Sequence, residues 1–219
     1  MRSEALTKTY PIQWRNSATM LGGGLYVASV AIWHPLHEGL FGGTALAVTH
    51  PLGHALHHTP ELPAYTLLAV GLVGLSRRLS PQLGRIGKIG LYLTLIGFAL
   101  MAVGTLAIIL FEGVLQTSIS ALETVHPLLL LPLIGALLCG PAILKAKVLT
   151  PDGAWLIIIG AALFLGMIFT GLIDTTWGYW VGKGFLTVFS AGWTWLGYAF
   201  WLEATAQPGG YNLDTTGGL

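Results

Sequence analysis

Between residues 50 and 58 the chain reads His50-Pro51-Leu52-Gly53-His54-Ala55-Leu56-His57-His58, four histidines in nine positions. Imidazole binds zinc, copper and iron and titrates near neutral pH. If Pro51 opens a short helix, residues three and four apart share one face, which would align His50, His54 and His57 or His58. Acids can complete such a set. Glu112 and Asp174 end apolar segments and could meet that face, and His126 begins another segment. Two chemistries fit. A zinc or copper site would use three histidines, or two and a carboxylate, from His50, His54, His57, His58, Glu112 and Asp174, with one position open to water if catalytic. A b-type haem, holding iron, would use one histidine from each of two helices, such as His54 and His126. The spacing leaves both open. The plainer role, capping helix ends or facing water, is preferred for His34, His37 or His126 taken singly. A lone Glu112 or Asp174 reads more simply as the polar end of a span.

The elements that must position these residues lie in a membrane. Of 219 residues, 9% are charged and 54% hydrophobic, and the mean hydropathy is +0.73. A soluble domain carries roughly 25% charged residues. Soluble, disordered and nucleic-acid-binding classes are thereby excluded, and a net charge of +1 supplies no basic patch for phosphates. Cys139 is the single cysteine, so no intramolecular disulfide can form.

Crossing roughly 30 Å of hydrocarbon takes about 20 apolar residues. Six segments qualify, at about 17–33, 60–76, 86–111, 127–144, 154–173 and 181–202. Thr59 is placed to cap the second, with Pro60 in its first turn. Arg2, Lys8, Arg15, Arg77, Arg78, Arg85, Lys88, Lys145 and Lys147 fall on one side of these spans and Lys183 alone on the other. Basic residues stay on the cytoplasmic side. The fold expected is therefore an all-α, polytopic membrane bundle of six helices in the cell (inner) membrane, with both termini cytoplasmic. Its parts are an N-terminal segment 1–16, a transmembrane domain 17–203 with a His-rich outer loop 36–58, and a tail 204–219. No small-residue cleavage site follows the first span, so it is read as a span and not as a signal peptide. All seven histidines then lie on the outer face, joined by Glu38, Glu61, Glu112, Glu123 and Asp174.

Other motifs are less specific. His54-Ala55-Leu56-His57-His58 matches the histidine box of membrane di-iron desaturases, but those enzymes carry several boxes facing the cytoplasm, so this one is read as coincidence. Trp193, Gly197 and Trp201 stand four apart on the sixth span and could form a groove for a quinone, carotenoid or lipid tail. Trp177, Tyr179, Trp180 and Tyr198 read as interfacial belts. Gly22, Gly23, Gly24, Gly71, Gly74, Gly160 and Gly166 suit close helix approach, and Pro132 and Pro141 should kink the fourth span. No charge falls mid-span, which weighs against an ion-coupled transporter.

His34-Pro35 at the end of the first span, Gly71-Leu72-Val73-Gly74-Leu75 before Arg77-Arg78, Arg85-Ile86-Gly87-Lys88-Ile89-Gly90, and Trp195-Leu196-Gly197-Tyr198-Ala199-Phe200-Trp201 together carry a likeness. The chain resembles a large group of uncharacterised six-helix bacterial and archaeal membrane proteins. That resemblance implies a fold and no activity. Two functions are expected from the residues themselves: metal or haem binding at the outer face in support of redox or metal-assisted chemistry, or an accessory role among other subunits of a respiratory or photosynthetic membrane complex. The lipid bilayer is the partner common to both. A fluorescent reporter fused after Leu219 should fold and emit inside the cell, while alkaline phosphatase fused there stays inactive; the opposite pattern would invert the orientation.

Overall fold

Backbone in hydrocarbon must satisfy its own N–H and C=O groups, which a helix does and an open strand does not. The computed structural model describes residues 10–40, 50–117, 127–147 and 150–206, and helices account for nearly all of them. In chain order they are α1 (Tyr10–Ala28), a π-helical turn (Ser29–Trp33), α2 (His34–Leu40), α3 (Pro51–His58), α4 (Glu61–Leu79), α5 (Arg85–Ile108), a second π-turn (Ile109–Val114), α6 (Leu130–Ala146), α7 (Pro151–Phe169), a 3₁₀ turn (Leu172–Asp174) and α8 (Thr176–Ala206). No strand occurs among the described residues. Three of the runs are long and apolar enough to cross a membrane: Arg85–Val114, Pro127–Ala146 and Pro151–Phe169.

The six long helices close into a ring. Each packs on two neighbours in the order α1, α4, α5, α6, α7, α8 and back to α1. An inside-out polarity accompanies the ring. On α5 and the π-turn that continues it the residues turned outward are Ile86, Ile89, Tyr92, Ile96, Leu100, Val103, Leu106 and Leu110, an exposed, largely apolar stripe at helical spacing. Water would not tolerate so long a stripe, but acyl chains do. The opposite face of α5 buries Gly90, Thr94, Gly97 and Thr105 beside Leu91, Phe98 and Met101.

Small residues set the helix spacing. A Cβ on Gly90 would stand 2.5 Å from the Cys139 backbone N, and one on Gly135 would stand 2.6 Å from the Gly90 carbonyl O, so α5 and α6 touch backbone to backbone. Gly71 does the same for α4 against α1, where a Cβ would lie 2.4 Å from Thr19 N. Gly24 and Gly166, expected to serve similarly, face open space. At the ring's centre Tyr26, Tyr65, Phe98, Phe189 and Trp193 are each at most 2% exposed and pack ring on ring with centroids 5.0–6.4 Å apart.

Several boundaries differ from expectation for identifiable reasons. Helix α1 begins at Tyr10, inside the segment read as an N-terminal extension. Thr59 does not cap α4: its hydroxyl donates back to the Ala55 carbonyl at 2.9 Å and so closes α3. The groove expected between Trp193 and Trp201 is filled, because a Cβ on Gly197 would stand 2.4 Å from Met20 N of α1. Replacing Gly90 with Leu should lower the stability of the detergent-solubilised protein by about 1–3 kcal/mol through overpacking. Gly24→Leu should leave it nearly unchanged, as read by thermal unfolding.

Candidate functional site

Both π-turns lie at the same end of the ring. The first directs Ser29 and His34, five residues apart, toward each other, with Ser29 Oγ 3.3 Å from His34 Nε2. The second contains Glu112 and packs on α3. A π-turn inserts one extra residue into a helix and so rotates the following side chains, a device concentrated at functional sites. Here it turns His34 and Glu112 inward. Pro51 opens α3 as expected, with His50 as its extended N-terminal boundary. The indole of Trp33 donates to the carbonyls of Leu56 and His57, both at 3.1 Å, and ties the C-terminus of α3 to the first π-turn.

A connected layer of buried imidazoles and carboxylates results. Glu112 Oε2 lies 2.5 Å from His54 Nδ1. His54 Nε2 faces His58 Nε2 at 3.2 Å. His58 Nδ1 lies 2.7 Å from Glu61 Oε2, and the other Glu61 oxygen lies 3.2 Å from His34 Nε2. His34, His54, His58, Glu61 and Glu112 are all buried. An ionised carboxylate can only accept hydrogen bonds, so each Nδ1 donates to its acid. The two Nε2 atoms are thereby left lone pair to lone pair at a separation that only a shared proton or a cation makes favourable.

A second buried group adjoins the first. His57 stacks on His34 with centroids 3.9 Å apart, and His37 packs edge-on to His57 at 5.3 Å. Glu38 accepts from the Tyr179 hydroxyl at 2.6 Å and pairs with the Lys183 ammonium. Lys183 also lies over the rings of Tyr179 and Trp180, at 4.3 and 5.1 Å.

Of the expected metal set, the structure gathers His54, His58 and Glu112. Glu112 stands behind His54, on its Nδ1, and not beside it as a further ligand. His57 stacks on His34 and does not join the His54–His58 pair. His50 is exposed at the boundary of α3, where the chain is extended and its side chain leaves the helical face. Asp174 is also exposed: Gly171, at φ 70°, turns the chain out of α7 and the 3₁₀ turn presents Asp174 to the surface. His126 and Glu123 lie outside the described residues. Among the described residues, no three His, Cys, Asp or Glu side chains converge as a ligand set. Glu61, His34 and Lys183 are the site residues that spacing did not select. The signal for Glu61 was its position three residues after His58; for Lys183 it was being the lone cation on the side expected to be the outer one.

The two adjacent histidines of α3 are driven in opposite directions. His57 is pushed down to about 2, first by burial and then by the neighbouring His34 and His58. His58 is raised: burial opposes its protonation, but the Glu61 carboxylate, its hydrogen bond and Glu112 outweigh it. No protein-family model, curated protein or solved structure matches the chain, so the site is read from its own geometry.

Acid should therefore act on the fold through His57. Below about pH 6.5 the unfolded chain binds a proton that the folded His57 refuses, so stability falls with pH, by at most about 1.4 kcal/mol per pH unit. The raised His58 contributes in the other sense, stabilising at low pH and losing its contribution as pH rises through its folded value. Thermal unfolding between pH 7 and pH 5 should show a smaller loss in His57→Leu than in the native protein.

Proposed function

We propose that the His54–His58 pair binds a transition-metal ion at the outer face of a six-span membrane protein and supports redox or metal-assisted chemistry there. The observation that carries this reading is the pair of opposed Nε2 atoms, 3.2 Å apart, each on an imidazole whose Nδ1 is held by a buried carboxylate. Two bonds of 2.0–2.1 Å at a tetrahedral angle span about 3.3 Å between nitrogens. Histidines that ligate metals almost always give their other nitrogen to a carboxylate or carbonyl, which fixes tautomer and ring orientation. Glu112 and Glu61 would serve in that way.

A two-histidine site leaves positions for water or substrate, as chemistry at a metal requires. All-imidazole donors suit zinc, copper or iron. A bare ion fits better than a b-type haem, because the 3.2 Å gap between His54 and His58 has no room for a macrocycle on either Nε2. Six spans with both termini cytoplasmic, and a His-rich face outside the cell membrane, are supported by the nine-to-one division of basic residues and by the closed ring of six helices.

Titrating the chelator-treated protein with Zn²⁺ or Co²⁺ should give one ion per chain, released protons, and tetrahedral d–d absorption with cobalt. His54→Ala and His58→Ala should abolish binding, and Glu112→Gln should weaken it by 10–100-fold. Native protein without stoichiometric metal that also fails to take up either ion would overturn the reading.

A further inference from the structure

Beside the imidazole layer the ring holds a partly open cavity of about 220 Å³, lined from every long helix or its immediate flank. Its polar end carries His57, His58, Glu61 and Lys183. Thr105 and Met101 also line it, seven and eleven residues before Glu112 on the same helical run. At 1.5 Å per residue the cavity therefore reaches about 10–16 Å inward from the Glu112 level. Tyr26, Tyr65 and Phe164 supply flat walls, and Met101, Ile108 and Leu186 supply aliphatic ones.

The hydrogen-bonding state of that polar end specifies its ligand. Both Glu61 oxygens are engaged by His58 and His34. Tyr179 and Lys183 are committed to Glu38. The carboxylates at this end are thus matched by imidazoles or an ammonium, and an ionic headgroup would find no unmatched charge. His57 differs, because its Nδ1 is buried and has no hydrogen-bond partner. Burying such a nitrogen unpaired is costly, and a ligand atom in the cavity would remove that cost. An imidazole nitrogen can donate to a carbonyl or accept from a hydroxyl, according to tautomer. A cavity with apolar walls, aromatic faces and a few convergent polar groups at one end is the usual form of a small-molecule site.

We propose that this cavity binds a neutral ring bearing carbonyl or hydroxyl groups on an apolar chain, of the quinone–quinol class, with its oxygen on His57 and its ring between the aromatic walls. The inference does not rest on an ion at His54 and His58, and it is tested with chelator-treated protein so that the two readings fail separately. The probe is 2-decyl-1,4-benzoquinone, titrated into the detergent-solubilised full chain with calorimetric thermal unfolding as the readout. A saturable rise in Tm is expected, with none from decylbenzene, which carries the same tail without oxygens. His57→Leu should weaken binding about tenfold, the loss of one buried hydrogen bond. Thr105→Trp should fill the cavity and abolish the shift. If Thr105→Trp does not fold, the decylbenzene comparison and His57→Leu decide the matter alone. An absent or unsaturable shift, an equal shift from decylbenzene, unchanged affinity in His57→Leu, or retained binding in folded Thr105→Trp would each overturn the proposal.

Discussion

Carboxylates taken out of water dictate one end of this helix ring. Glu38, Glu61 and Glu112 are each no more than 6% exposed, within a bundle whose outward faces are largely apolar. Isolating one such charge costs several kcal/mol even after relaxation, so every one must be met by donors. Three other elements of the structure answer that requirement. Helix α3 brings His54 to Glu112 and His58 to Glu61, the first π-turn brings His34 to Glu61, and α8 brings Tyr179 and Lys183 to Glu38. Burying the acids commits chain segments more than 140 residues apart to one plane, since Glu38 and Lys183 are separated by 145 positions.

The histidines answer the acids, and the answer leaves a surplus. Each imidazole has two nitrogens, and the carboxylates use Nδ1 of His54 and of His58. What remains is a pair of Nε2 atoms facing each other, with a buried Nδ1 of His57 beside them that has no hydrogen-bond partner. Structural charge neutralisation and chemical capacity thus come from the same residues. The layer is rigid for a physical reason: its members sit on helices and π-turns, where side-chain directions are fixed by backbone hydrogen bonds, and the Trp33 indole ties α3 to the first π-turn.

Much of this was legible in the chain. Apolar runs located the six long helices, although α1 starts seven residues before its expected span; Pro51 marked the start of α3, and the four-residue spacing of His54 and His58 put them on one face. Glu112 was named as able to meet that face, though taken alone it read as the polar end of a span. What escaped has definite causes. A π-turn has no residue signature, so the rotation of His34 and Glu112 could not be read, and His34 looked like a helix-end histidine. His50 fits the helical spacing on paper but precedes the helix, in extended backbone. Asp174 sits at the end of an apolar run like Glu112, yet Gly171 and a 3₁₀ turn carry it outward where a π-turn carries Glu112 in. Glu61 was hidden by its ordinariness as a first-turn acid, and its double engagement depends on His34, which only tertiary packing supplies.

Ring closure has a consequence for how the chain is assembled. Both partners of Glu38 come from α8, 141 and 145 positions later in the chain, and α8 is also the wall against which α1 packs. Glu38 follows α1 almost immediately and reaches the membrane early. Until α8 arrives it has neither Lys183 nor Tyr179, so it must wait in the headgroup region or carry a proton. The ring is therefore closed only when α8 packs on α1, and a ribosome-bound intermediate lacking α8 would hold an open bundle with an unmatched acid at one end.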